Sequence, residues 1–215
     1  MLRIKFIPVL LAFFSVIHSQ NVNEFYGGII EIEPGETIQQ YVDSTPAGTA
    51  FLLKAGKHID QSVTPKNGNI FLGEQGTVMQ GKPGIMYAFE GRANDVVIDG
   101  IEITGYGPDK LPASKGSYHG AITSSSIGDL RKKGQSARWV VRNCTVHHNI
   151  LGGIFLGDGG QIINNHVHHN GQIGVKLYWA NSGLIEGNEI AFNNNLDEDI
   201  STLGHFDRYW EAGGT

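Results

Sequence analysis

The feature that most limits what this chain can fold into is a repeat in its second half. Residues 142–149 (RNCTVHHN), 163–170 (INNHVHHN) and 186–193 (EGNEIAFN) superpose, with Val146, Val167 and Ile190 at equivalent positions 21 and 23 residues apart. Between them lies a second match, Gly153–Leu156 (GIFL) against Gly174–Leu177 (GVKL), again 21 apart. Upstream, Val96–Ile103 carries the same apolar alternation, and Gly120–Thr123 reads as another glycine-led strand. Helical repeats have longer periods, about 33 to 47 residues, and need amphipathic stretches that are absent here. Leucine-rich repeats share the period but need a leucine ladder this chain lacks. Short strands recurring every 21–23 residues predict an all-β parallel β-helix, a solenoid whose coils stack about 4.8 Å apart. An antiparallel sandwich is the alternative, and it would not keep a near-constant period.

Composition agrees with the solenoid. Glycine supplies 30 of 215 residues, in no three-residue period, while 40% of the chain is hydrophobic and 17% charged. That excludes collagen and disorder, and it gives glycine a place at corners where the backbone needs positive φ, a role asparagine can share. A net charge of −5 and a pI near 6.0 exclude a phosphate-reading surface, so nucleic acid is not an expected partner.

The ends carry their own expectations. Arg3 and Lys5, the apolar run Phe6–Ile17 and small Ser19 read as a signal peptide over residues 1–19, with an uncleaved anchor as the alternative. The mature domain is then residues 20–215: secreted, periplasmic or at the cell surface, with no later transmembrane span and no internal disulfide, since Cys144 is the only cysteine. Thr37–Val42 is a short amphipathic piece placed to form an N-terminal capping helix over the first coil. Gly105–Gly120 and Ser124–Gln135 read as loops between strands.

Strand alternation assigns faces. With Val146, Val167 and Ile190 inward, the outward positions are Thr145, His147, His166, His168, Glu189 and Ala191; His147 lies beside His168, and His166 beside Glu189. Cys144, Asn165 and Asn188 stack just before them, while Asn149, Asn170 and Asn193 form a corner column, with His148 and His169 at the corner too. Three imidazoles and a carboxylate on one face suit either an acid/base pair or a metal site. A solvated outer face, repeated because coils duplicate, is the competing reading. A second outer column is expected through Ile122, Phe155 and Lys176, with Asp158 and Trp179 at its end; Tyr178 and Trp179 are candidates to stack on sugar rings or to lie under a loop. The segment with Asp197, Glu198, Asp199, His205, Asp207, Arg208 and Glu211 could supply a hard-cation site or a catalytic carboxylate, or be a solvated loop. Asn143-Cys-Thr145 matches a glycosylation pattern beside a paired strand, and Gly157–Gly160 reads as a turn.

Thr37–Gln40, Ala47–Thr49 through Ala55-Gly56, Val97–Ile101 and the Val-His-His-Asn repeats together resemble the right-handed parallel β-helix proteins of the pectin-lyase-like superfamily, over about residues 30–215. The resemblance implies a secreted carbohydrate-active monomer acting on a polysaccharide, of lyase or glycoside hydrolase type, or else a non-catalytic carbohydrate-binding or surface-interaction solenoid. It makes His147, His166, His168, Glu189 and Glu211 catalytic candidates and Lys176, Tyr178, Trp179 and Arg208 candidates for substrate binding. The cofactor stays open, with a divalent cation such as calcium among the candidates. Calcium-dependent lyases of the superfamily carry an acidic cluster where this chain has Ile, Phe and Lys, which lowers that chemistry here. It also implies further coils after Trp210–Thr215, so that this chain would be a truncated fragment.

Overall fold

The computed structural model describes residues 28–110, 119–124, 137–178 and 180–194. The readings of the signal peptide, of Trp179 and of the acidic segment with Arg208 and Glu211 lie outside these residues.

Each coil contributes up to three short strands. The chain enters through β1 (Ile30–Ile32) and α1 (Ile38–Ser44), then β2 (Ala50–Leu53) and β3 (Gly56–Ile59). Next come β4 (Ile70–Gly73), β5 (Thr77–Gln80) and β6 (Phe89–Glu90), followed by β7 (Val97–Asp99), β8 (Glu102–Thr104) and β9 (Gly120–Thr123). The repeat region supplies β10 (Val140–Arg142), β11 (Thr145–His147) and β12 (Gly152–Leu156), then β13 (Gly160–Ile163), β14 (His166–His168) and β15 (Val175–Leu177). The last described coil holds β16 (Gly183–Glu186) and β17 (Glu189–Ala191). Equivalent strands of successive coils pair in parallel, giving sheet A (β1-β2-β4-β7-β10-β13-β16), sheet B (β3-β5-β8-β11-β14-β17) and sheet C (β6-β9-β12-β15). The expected parallel solenoid is the fold.

The core is a set of columns running along the solenoid axis. Phe51, Phe71, Ile98, Val141 and Ile162 are register partners in sheet A; Met79, Ile103, Val146 and Val167 are so in sheet B; Phe89, Ile122 and Ile154 are so in sheet C. All are fully buried. Phe71 stacks on Phe51 (centroids 5.2 Å) and meets Phe89 of sheet C at 4.9 Å, tying two sheets together. Helix α1 buries Ile38 and Val42 against the first coil, as the amphipathic spacing of Thr37–Val42 predicts.

The corners refine the expectation about glycine and asparagine. Between sheets A and B the left-handed position is held by Gly100, Asn143, Asn164 and Gly187, one per coil. After sheet B it is held by Gly105, His148, His169 and Phe192, with φ of 50° and 52° at the two histidines. Asn149, Asn170 and Asn193 follow these corners and are not left-handed themselves. They form an internal amide ladder instead: Asn149 Nδ2 donates to Asn170 Oδ1 and Asn170 Nδ2 to Asn193 Oδ1, each at 2.9 Å. A second ladder starts at Cys144, whose backbone N–H donates to Asn165 Oδ1, and Asn165 in turn donates to Asn188 Oδ1. Both ladders satisfy backbone groups that the turning chain would otherwise leave buried and unpaired.

Candidate functional site

Two outer faces bring chemistry-bearing side chains together. On sheet B, register places Thr145, His166 and Glu189 in one column and His147, His168 and Ala191 in the next, as strand alternation predicts. The rings of His147 and His168 stack 5.0 Å apart and 3° from parallel. The left-handed corners turn His148 and His169 onto the same face, where their rings stack at 5.2 Å. Within each coil neighbouring histidines meet through their Nδ1 atoms, at 2.7 Å for His147 and His148 and 2.8 Å for His168 and His169. His166 lies 4.1 Å from the His168 ring, and its Nε2 is 3.7 Å from Glu189 Oε1. Partial burial, then the surrounding histidines His166, His147, His169 and His148, lowers the His168 imidazole to about 4. His148 is lowered as well, by burial first and then by His147 and His169.

Sequence alternation missed Glu102, which closes this face one coil upstream. Its carboxylate accepts from His147 Nε2 at 3.2 Å. The signal was present: Val96–Ile103 repeats the same alternation, and extending the Thr145, His166, Glu189 column by one coil reaches Glu102. His147, His166, His168 and Glu189 share the face without converging. Among the described residues no three His, Cys, Asp or Glu side chains are placed to hold one metal ion.

Sheet C corrects the second outer column. Ile122 pairs with Ile154 and is buried in the core, so it does not face outward. The outward register is Glu90, Thr123, Phe155 and Lys176. The adjacent pair Gly152-Gly153 explains the slip: Gly120 is opposite Gly152, whereas the motif match places it opposite Gly153, and one residue of register exchanges the two faces. Phe155, although outward, is only 5% exposed. Lys176 Nζ lies 5.8 Å from the Phe155 ring centroid and 5.0 Å from that of Tyr178. Asp158 is a turn cap, accepting from the backbone N–H groups of Asn181 and Ser182. Asn143 is exposed at its corner, with Nδ2 donating to Asp99.

At the head of this column stands a group that sequence patterning did not single out. Tyr87 Oη and His119 Nδ1 are 2.8 Å apart, just before β6 and β9. Burial pushes the Tyr87 hydroxyl far up, with the Glu90 charge adding to it. Burial likewise raises the Glu90 carboxyl, against the pull of Arg92, and lowers the His119 imidazole. A phenol, a neutral imidazole and a carboxyl group displaced from their ordinary values by desolvation make a cluster fit for proton transfer. No periodicity marks them, because two of the three lie outside the strands.

Residues 133–202 match the family model described as a right handed beta helix region. With the parallel three-sheet solenoid, that match decides the class. The chain is a right-handed β-helix protein. No curated protein and no solved structure matches it. Among its described residues, no helix of this β-helix protein is long and apolar enough to cross a membrane.

Proposed function

We propose that this β-helix protein is exported, by the signal carried on residues 1–19, to act as a monomer on a uronate-containing polysaccharide at the outer face of sheet C. The observation that carries the reading is the Tyr87–His119 contact beside Glu90, at the head of a column that ends in Lys176. Lys176 is a cation for a sugar carboxylate, with the Tyr178 ring as an apolar contact beside it. The chemistry that a neutral imidazole and a phenol support is β-elimination. His119 takes the proton α to the uronate carboxyl group, and a carbon–carbon double bond forms as the bond to the neighbouring glycosidic oxygen breaks. The Tyr87 hydroxyl returns a proton to that oxygen.

The test incubates the full chain with polygalacturonate, alginate and chondroitin, following unsaturated product and reducing ends. Unsaturated product that falls by a factor of about 10² to 10⁴ in Tyr87→Phe and His119→Ala, with binding retained, supports the reading. New reducing ends without unsaturation would assign hydrolysis instead and overturn the elimination step. Binding without either product would make the protein a carbohydrate-binding solenoid, a second reading favoured by the flat stacked imidazole face of sheet B. No binding and no product on any uronate polymer refutes both.

A further inference from the structure

The adjacent-histidine pairs on sheet B hold an arrangement that the polysaccharide reading does not use. In His147-His148 and His168-His169 the first histidine ends a strand and the second occupies a left-handed corner. That turn defeats the alternation that would send consecutive side chains to opposite faces, and it aims two Nδ1 atoms at each other. We propose that the His147–His148 pair is a chelating site for a divalent transition metal that favours square or tetragonal coordination, copper(II) or nickel(II).

Three observations support this. The first is the bite. Nitrogen ligands about 2.0 Å from a metal, with their atoms 2.7 to 2.8 Å apart, subtend roughly 85–90°, the cis angle of a square-planar or tetragonal centre. A tetrahedral ion such as zinc needs roughly 3.3 Å between ligand nitrogens at the same bond length. The second is the support behind the ring. His147 Nε2 points at Glu102 Oε1 at 3.2 Å, so the ring's proton sits on Nε2 and the Nδ1 lone pair is directed at His148. A carboxylate behind a ligating imidazole fixes its tautomer and raises its basicity. The third is the proton balance. His148 donates its Nδ1 proton to His147 when no metal is bound; moving that proton to its own Nε2 frees the second lone pair with no net loss.

The His168–His169 pair has the same bite but, among the described residues, no such carboxylate, and its rings lie 5.0 and 5.2 Å from those of the first pair. A second cation there would face the first across that short gap, so one tight equivalent is expected. The remaining coordination positions at His147–His148 open to solvent, since no third protein ligand converges on the pair among the described residues.

The experiment titrates the full chain, freed of any histidine tag, with copper(II), nickel(II), zinc(II) and calcium(II) by calorimetry, and records the electron paramagnetic resonance spectrum of the copper(II) form. One tight copper equivalent, with a tetragonal signal showing two imidazole nitrogens, is expected. His148→Ala should weaken binding at least about tenfold and remove one nitrogen from the signal, and Glu102→Gln should weaken it by about 10- to 100-fold. His166→Ala should change neither. His148 is exposed, so unchanged circular dichroism will verify that the variant folds. Copper affinity alone would not decide, since most nitrogen sites prefer it; the spectrum does. An unaltered two-nitrogen signal in both His147→Ala and His148→Ala, or no copper bound at micromolar concentration, would overturn the site. None of these outcomes depends on whether the protein cleaves a polysaccharide.

Discussion

Replacing Asn170 by alanine should remove far more stability than one exposed amide is worth. Its side chain is fully buried and makes four hydrogen bonds. Nδ2 donates to the Val146 carbonyl at 3.0 Å and to Asn193 Oδ1 at 2.9 Å; Oδ1 accepts from the Asn149 backbone N–H at 3.2 Å and from Asn149 Nδ2 at 2.9 Å. Asn193 is only half-buried, so water can replace its lost donor, and Asn149 Nδ2 keeps a long contact with the Ile103 carbonyl at 3.4 Å. The Asn149 N–H loses its partner inside the solenoid, and the Val146 carbonyl and Asn149 Nδ2 each lose one of two. At about 1–3 kcal/mol for each buried polar group left unpaired, the total is about 3 kcal/mol. For a domain of this size that lowers the melting temperature by about 6–12 °C. Urea unfolding followed by far-ultraviolet circular dichroism, with thermal melts alongside, measures it. Asn193→Ala removes the same chemistry where water can enter and should cost about 1 kcal/mol; Gln161→Ala, on an exposed strand position, should stay within about 0.5 kcal/mol. Equal losses at Asn170 and Asn193, or a loss under about 1 kcal/mol at Asn170, would refute the claim that the ladder satisfies the buried turn.

Two further predictions concern packing and charge. A methyl group on Gly153 would sit 2.4 Å from the Gly174 carbonyl oxygen and 2.8 Å from Val167 Cγ1, so Gly153→Ala should destabilise by about 2–3 kcal/mol through overpacking. Gly35→Ala, with nothing within 4 Å but φ at 93°, should cost only the backbone strain of about 1–2 kcal/mol; similar melting temperatures for the two variants would contradict the close stacking of coils. Burial raises the Glu90 carboxyl, so the folded state holds that proton more tightly than the unfolded chain does. The resulting stability is full below the unfolded value and is lost as pH rises through the folded one. Glu90→Gln should therefore raise the melting temperature near neutral pH and leave it nearly unchanged in acid. A lower melting temperature at neutral pH would show that Glu90 is stabilised by a partner rather than penalised by burial.

Much of this architecture was legible because a parallel solenoid writes its geometry into the sequence period. Residues 21 or 23 apart become neighbours, so aligning the three repeats was enough to pair His147 with His168 and His166 with Glu189. The same logic found the column of Asn149, Asn170 and Asn193, the stack of Cys144, Asn165 and Asn188, and the inward line of Val146, Val167 and Ile190. It failed at Ile122, where two adjacent glycines made the alignment ambiguous by one residue, the smallest error that reverses a strand's faces. It was also silent at Tyr87 and His119, whose separation of 32 residues falls outside the repeat spacing.

By itself, then, the sequence determined the coil, its two or three short strands and the inward line of Val146, Val167 and Ile190, since those follow from local alternation repeated at a near-constant spacing. Which groups meet outside those repeat columns was decided only by the tertiary structure. Left-handed corners turn His148 and His169 onto the strand face, and the Glu102 side chain reaches across to His147 from the neighbouring Thr145 column. Burial shifts the proton affinities of Tyr87, Glu90 and His119. Side-chain direction at a corner and desolvation under neighbouring coils depend on atoms distant in the chain, and no spacing along the sequence encodes them.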